Sequence, residues 1–222
     1  MIRNVDLNEI SDGKLYAAND MVKADCHDCK GCSACCQGMG NSIVLDPMDI
    51  AVLEKNLNQT FEGLIEKYID INVVDGMILP NLKMTGDKEA CAFLDSEGRC
   101  SIHAFRPGIC RLFPLGRYYE EDGFKYFLQV HECKKTDRSK VKVKKWLDMP
   151  NLKEYEKYIL TWHNFLKQCQ EGLKELDEDK QRILNMYVFR MFFLAEFYKE
   201  DFYAEFYERL RTVKTTLGFT ED

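Results

Sequence analysis

The chain lacks several features that would place it quickly. No apolar run approaches the roughly 20 residues needed to cross a bilayer; Met191 to Ala195, near the C-terminus, ends against Arg190 and Glu196. Met1 to Ala18 carries Arg3, Asp6, Glu9, Asp12 and Lys14 and has no apolar centre, so no secretory leader is expected and a cytoplasmic setting is. There is no basic excess. With 31 Lys and Arg against 37 Asp and Glu, the net charge is −6, which argues against a general nucleic-acid binder. No internal repeat or low-complexity linker occurs. The only glycine pair near the cysteines, Gly38 and Gly40, forms no nucleotide-binding fingerprint. No Ser-His-Asp or paired-carboxylate pattern argues for catalysis, so whether the chain is an enzyme stays open.

Against these absences stand ten cysteines in 222 residues. A chain of this length can bury a core without covalent staples. In a reducing compartment, thiols in such number point to metal or redox chemistry rather than disulfides. Cys26, Cys29, Cys32, Cys35 and Cys36 form one group, Cys91, Cys100 and Cys110 a second, and Cys133 and Cys169 stand apart. The charge divides just after Cys133, with net −8 up to that residue and net +2 beyond it.

In the first group, three Cys-x2-Cys steps follow one another. This spacing lets a tight turn bring two thiolates to one metal while backbone amides face the sulfurs, in zinc knuckles and iron–sulfur sites alike. A packed core would not place five cysteines among His27, Asp28, Lys30 and Ser33. A disulfide set and a redox pair are the alternatives. Cys26, Cys29, Cys32 and Cys36 match the bare cysteine spacing of bacterial ferredoxins, but Gln37 stands where proline is expected, Cys35 is extra and no second such run follows. Consecutive side chains diverge, so Cys35 and Cys36 are expected to serve different sites or to bridge two metals.

The second group reads Cys91-Ala-Phe-Leu, then Gly98-Arg-Cys100-Ser-Ile-His103, then Arg106-Pro107-Gly-Ile-Cys110-Arg111-Leu-Phe-Pro114. Together with Cys29-x2-Cys32-x2-Cys35-Cys36, this resembles the YkgJ-type cysteine-cluster family, described as zinc- or iron-chelating, over about residues 26–133. The start is also distantly similar to flagellin lysine N-methylases. The resemblance implies that the ligands are Cys29, Cys32, Cys35, Cys36, Cys91, Cys100, Cys110 and Cys133. It leaves Cys26 and Cys169 outside the shared motif. It implies an iron–sulfur cluster, as 4Fe–4S, with zinc the alternative. The matching roles are electron transfer or metal handling, a structural zinc protein, or a protein-lysine N-methyltransferase. The expected partner is an unidentified protein or redox partner. Arg106, Arg111 and His103 are expected around the ligands, the arginines offsetting thiolate charge.

Hydrophobic spacing predicts an α+β fold: a small cysteine-rich core of short strands and helices, followed by a helical C-terminal region. Asp46-Pro47 and Thr60 read as helix starts. Ile71 to Leu79 reads as extended, Ala92–Leu94 and Ser101–Ile102 as short strands around Asp95–Gly98, and Leu115–Tyr119 with Phe124–Val130 as a hairpin. After Pro150, helices are expected from Leu152 to Leu176, from near Asp179 and from near Asp201. The expected organisation is an arm (1–25), a metal-binding domain (26–148) and a helical region (149–222). The ten aromatics among residues 187–207 read as core, and Lys134–Lys145 as a solvated face.

Overall fold

The computed structural model describes residues 6–27 and 32–219, and the fold is α+β. Its elements are α1 (Leu7–Ile10), β1 (Ser11–Tyr16), β2 (Met21–Asp25), α2 (Pro47–Leu57), α3 (Phe61–Lys67), β3 (Ile69–Val74), β4 (Met77–Leu82), β5 (Met84–Thr85) and β6 (Ala90–Cys91). There follow α4 (Gly108–Leu112), β7 (Leu115–Glu120), β8 (Gly123–Gln129), β9 (Ser139–Lys142), α5 (Val143–Leu147), α6 (Leu152–Leu173), α7 (Glu178–Phe189) and α8 (Phe202–Leu217). The chain forms two units. One comprises the chain up to Ile43 and Leu82–Tyr155; the other comprises Val44–Asn81 and the chain from Glu156 onward. Residues 44–81, read from sequence as part of a 26–148 domain, thus group with the C-terminal helices.

In the first unit, β7 and β8 form a hairpin closed at Glu120 and Gly123, and β1 pairs antiparallel with the other edge of β8. Gly116 lies opposite Phe127, whose ring crosses so closely that a Cβ at Gly116 would lie 2.3 Å from it. The N-terminal stretch, read from sequence as an arm, supplies β1 and β2 here. Strand β2 alternates buried Val22 and Ala24 with exposed Met21 and Lys23, the period-two pattern of a half-buried strand. It pairs with β9, and Val22 and Ala24 pack with Leu112, Leu115, Tyr126, Leu128, Val143 and Leu147 into one core.

In the second unit, the helix starts follow the capping residues. Asp46 and Asp49 form a reciprocal capping box at α2, and Thr60 caps α3. Asp177 and Asp201 cap α7 and α8. The stretch 71–79 is not one extended segment. Asp75 and Gly76 take positive φ and turn the chain back, so β3 and β4 pair as a hairpin. Asp-Gly at such a turn is the residue pair that this left-handed geometry favours. Asn185 of α7 accepts from the Ile78 N–H at 2.7 Å and donates to the Gly76 carbonyl at 3.0 Å, tying hairpin to helix. Tyr158, wholly buried on α6, donates to Asp46 Oδ1 at 2.9 Å and accepts from the Met48 N–H at 3.1 Å. Trp162, Phe165, Phe189, Phe192, Phe193 and Phe206 fill the interior, with Trp162 and Phe192 centroids 5.0 Å apart. The aromatic-rich stretch is therefore mostly core, although Tyr198 is 76% exposed.

Candidate metal centre

The cysteine unit is the part of the chain with dense thiol chemistry. Ser33 begins a 3-10 turn, Ala34–Cys36, closed by the Cys36 N–H on the Ser33 carbonyl at 2.9 Å. The Gln37 side-chain amide reaches Ser33 Oγ at 2.9 Å. Gln37 and Ala90 then form an antiparallel bridge, and the Gly38 N–H reaches the Glu89 carbonyl at 3.0 Å. These bonds lay Cys35 and Cys36 beside β6, where Cys91 sits opposite Met84 of β5. The next turn is organised by Asp95, whose Oδ1 accepts the Glu97 and Arg99 N–H groups, with Gly98 at φ +73°. It returns the chain so that Cys100 bridges Leu94. The expected strands on either side of this turn reduce to that single bridge.

These bridges bring the stretches carrying Cys35, Cys36, Cys91 and Cys100 to one part of the unit. The thiols of Cys35 and Cys36 hydrogen-bond to each other, an interaction that with burial pushes Cys35 far above the ordinary range. This differs from the expected divergence of neighbouring side chains. In a 3-10 turn, successive side chains are about 120° apart rather than on opposite faces as in a strand. Burial raises Cys91, and the Phe93 N–H at its sulfur pulls the other way; the thiols of Cys100 and Cys35 raise it further. Burial likewise raises Cys100, opposed by the Ile102 N–H and by the Arg106 charge.

The charge of Arg106 favours the thiolates of two of these residues, Cys35 and Cys100. It contacts His103 Nε2, while its own Nε is buried with no hydrogen-bond partner among the described residues. Arg111 does different work. It donates to the carbonyls of Arg106 at 3.2 Å, Ala104 at 2.6 Å and Asp148 at 3.2 Å, fastening the loop before α4, the helix that carries Cys110. Arg117 of β7 donates to the Tyr155 hydroxyl at 3.2 Å and lies over the rings of Phe124 and Tyr155.

Cys133 has other neighbours. Burial raises the Cys133 thiol against the pull of the Lys135 N–H, and the neighbours that act on it are Cys26, Arg138 and Cys32. Cys26, which the resemblance leaves outside the ligand set, is 2% exposed and follows directly on β2. Arg138 went unnoticed in the Lys134–Lys145 run; its Nη1 is buried with no hydrogen-bond partner among the described residues. The alternation of β2 into an apolar face offered a sequence signal for Cys26, because the strand leads the chain straight to it. No such signal marked Arg138. Cys29 lies outside the described residues. Cys169 sits on α6 in the other unit, wholly buried, its thiol pushed up by burial to about 12.

Among the described residues, no group of three or more His, Cys, Asp or Glu side chains is placed to hold a metal ion. Protonated thiols gain little by crowding together, and a cation supplies the attraction when it displaces their protons. The donor set nevertheless fits a thiophilic metal. It offers several thiols, backbone N–H groups aimed at three of the sulfurs, and nearby arginine charge to offset thiolates.

The family match makes this a cysteine-cluster metal-binding protein. The chain belongs to the CxxCxxCC family, described as a "putative zinc- or iron-chelating domain", whose match spans residues 28–140. No curated protein and no solved structure matches the chain. No helix among the described residues is long and apolar enough to cross a membrane.

Proposed function

We propose that the protein holds iron as a cysteine-ligated iron–sulfur cluster, of the 4Fe–4S type, and serves in electron transfer or metal handling with a protein partner in the cytoplasm. The observation that supports this reading is that the Gln37–Ala90 and Leu94–Cys100 bridges bring Cys35, Cys36, Cys91 and Cys100 to one part of the unit, with Arg106 acting on Cys35 and Cys100. Four thiolates are the ligand count of such a cluster. The buried, unpartnered Nε of Arg106 is a donor for the sulfur of a filled site, whether thiolate or inorganic sulfide. Cys29, Cys32, Cys110 and Cys133 complete the proposed ligand set.

A bound cluster supplies one-electron chemistry. The chain's own groups hold it and tune it. The Phe93 and Ile102 N–H groups favour the thiolate forms of Cys91 and Cys100, and Arg106 offsets the charge at Cys100. Hydrogen bonds to sulfur and local charge are the levers that set cluster potential.

Anaerobic purification with an absorption spectrum and metal analysis tests the proposal. A brown protein with stoichiometric iron and acid-labile sulfide is the expected result. A colourless protein carrying stoichiometric zinc overturns the iron–sulfur reading and leaves a structural zinc protein.

A further inference from the structure

We propose that the outward face of α7 docks a second copy of this chain, with two α7 helices packed antiparallel about a two-fold axis. The inference concerns the helical unit and does not rest on the metal-binding reading.

Helix α7 buries one face and leaves another bare. Leu184, Asn185, Val188 and Phe189 are buried. Asn185 is bonded to the β3–β4 hairpin, and Phe189 meets Phe61 edge-on at a centroid distance of 5.6 Å. These contacts fix which side of the helix looks outward. On that side stand Asp179, Ile183, Met186 and Arg190, all exposed. Steps of four, three and four residues keep them in one stripe, the spacing of a coiled-coil seam. A helix that faced only water would carry polar residues along the whole stripe. Here the two middle positions are apolar, with Ile183 66% and Met186 49% exposed.

The ends of the stripe carry opposite charge. Asp179 stands in the first turn, where its carboxylate meets Arg182 at 3.1 Å through side chains that are 83% and 75% exposed. Arg190 follows the last residue of α7 and has no ion pair among the described residues. The order acid, apolar, apolar, base is complementary to itself when reversed. An antiparallel pair centred between Ile183 and Met186 sets Ile183 of one copy against Met186 of the other, and Asp179 against Arg190. A two-fold axis makes each of these contacts twice. Parallel packing would set Asp179 against Asp179 and Arg190 against Arg190, so the charges select the antiparallel register. This complementarity points to a second copy as the occupant. The seam spans only about three helical turns, which places the contact among small, reversible interfaces.

Sedimentation velocity of the full chain over a wide concentration range tests the proposal. The wild type is expected to pass from monomer to dimer as concentration rises. Ile183→Glu puts a carboxylate in the seam and should leave the protein monomeric throughout. Arg190→Asp and Asp179→Arg each set like charges face to face in both symmetry-related contacts, so each should weaken association by about tenfold. Combined in one chain, the two reversals restore opposite charges across the seam and should return association toward the wild-type value. All of these positions are exposed, so the variants should keep the far-ultraviolet circular dichroism of the wild type. A wild type that stays monomeric at every concentration would overturn the proposal. So would a dimer that Ile183→Glu leaves intact, or a combined variant that associates no more tightly than the single reversals. None of these outcomes turns on metal content, so the proposal and the metal-binding reading fail separately.

Discussion

Removing one residue of the Glu205–Arg209 pair should cost more than any surface substitution in this protein. Glu205 Oε2 accepts the N–H groups of Tyr198 at 2.9 Å and Lys199 at 2.7 Å, and Oε1 accepts Arg209 Nε at 3.1 Å. Arg209 Nη1 donates in turn to the carbonyls of Met191 at 3.0 Å and Ala195 at 2.5 Å, and the guanidinium lies 3.9 Å from the centre of the Phe197 ring. The pair therefore ties the π-helical turn Arg190–Leu194 and the loop after it to α8. Its side chains are only 11% and 7% exposed. Arg209→Ala would leave the Glu205 carboxylate buried without its cation, a change that costs about 3–5 kcal/mol. For a chain of this size each kcal/mol corresponds to about 2–4 °C in Tm, so a fall of roughly 6–20 °C is expected. Urea unfolding followed by tryptophan fluorescence, which reports on Trp162 in the neighbouring core, gives the free energy directly. Burial pushes the Glu205 carboxyl up, but the Lys199 N–H, the Arg209 guanidinium and the Tyr198 N–H outweigh it and hold it below the usual range. The stability it contributes is therefore fully present above the ordinary glutamate pKa and is lost as pH falls through the lowered one. Arg209→Ala should flatten that part of the acid limb. A loss below about 1 kcal/mol with an unchanged acid limb would refute the reasoning.

Tyr158→Phe removes the donor to Asp46 and the acceptor for the Met48 N–H at a wholly buried position; leaving such a group unsatisfied should cost about 1–3 kcal/mol in denaturant unfolding. Gly116→Ala drives a methyl into the Phe127 ring, and an overpacking loss of about 1–3 kcal/mol is expected. In native protein, Cys169 should resist alkylation as followed by mass spectrometry, because its thiol is buried and pushed up to about 12. Cys169→Ala should retain full metal content, and loss of metal in that variant would place Cys169 among the ligands.

Helix starts were legible because capping is local chemistry. Asp46 with Pro47, Thr60 and Asp201 each act within one turn of their own position. The β7–β8 hairpin was legible for the same reason, since alternation and the Glu121–Gly123 turn lie in one short window. Pairings between distant segments were not. Nothing near Val22 names Val141 as its partner, and that pairing carries Cys26 to the 137–139 stretch. The Asp75-Gly76 turn was readable in principle, but the β-branched residues around it masked the reversal. The cysteine spacing pointed to metal chemistry. It could not say which cysteine stretches meet, because that depends on which loops the strands bring together.

The excursion from Val44 to Asn81 changes the entropy of assembling the thiols. The chain leaves the cysteine unit at Ile43 and re-enters at Leu82, where the Leu82 N–H bonds to the Ile43 carbonyl at 2.9 Å. Val44 and Asn81 bridge just inside that closure, and Leu45 bonds to Pro80. Once this base is closed, the span separating Cys36 from Cys91 shrinks from about 55 residues to about 16, which lowers the loop-closure cost by ~1 kcal/mol. The helical excursion thus acts as a tether that raises the effective concentration of one cysteine stretch at the other. A lesion confined to its base would weaken metal capture without touching a single thiol.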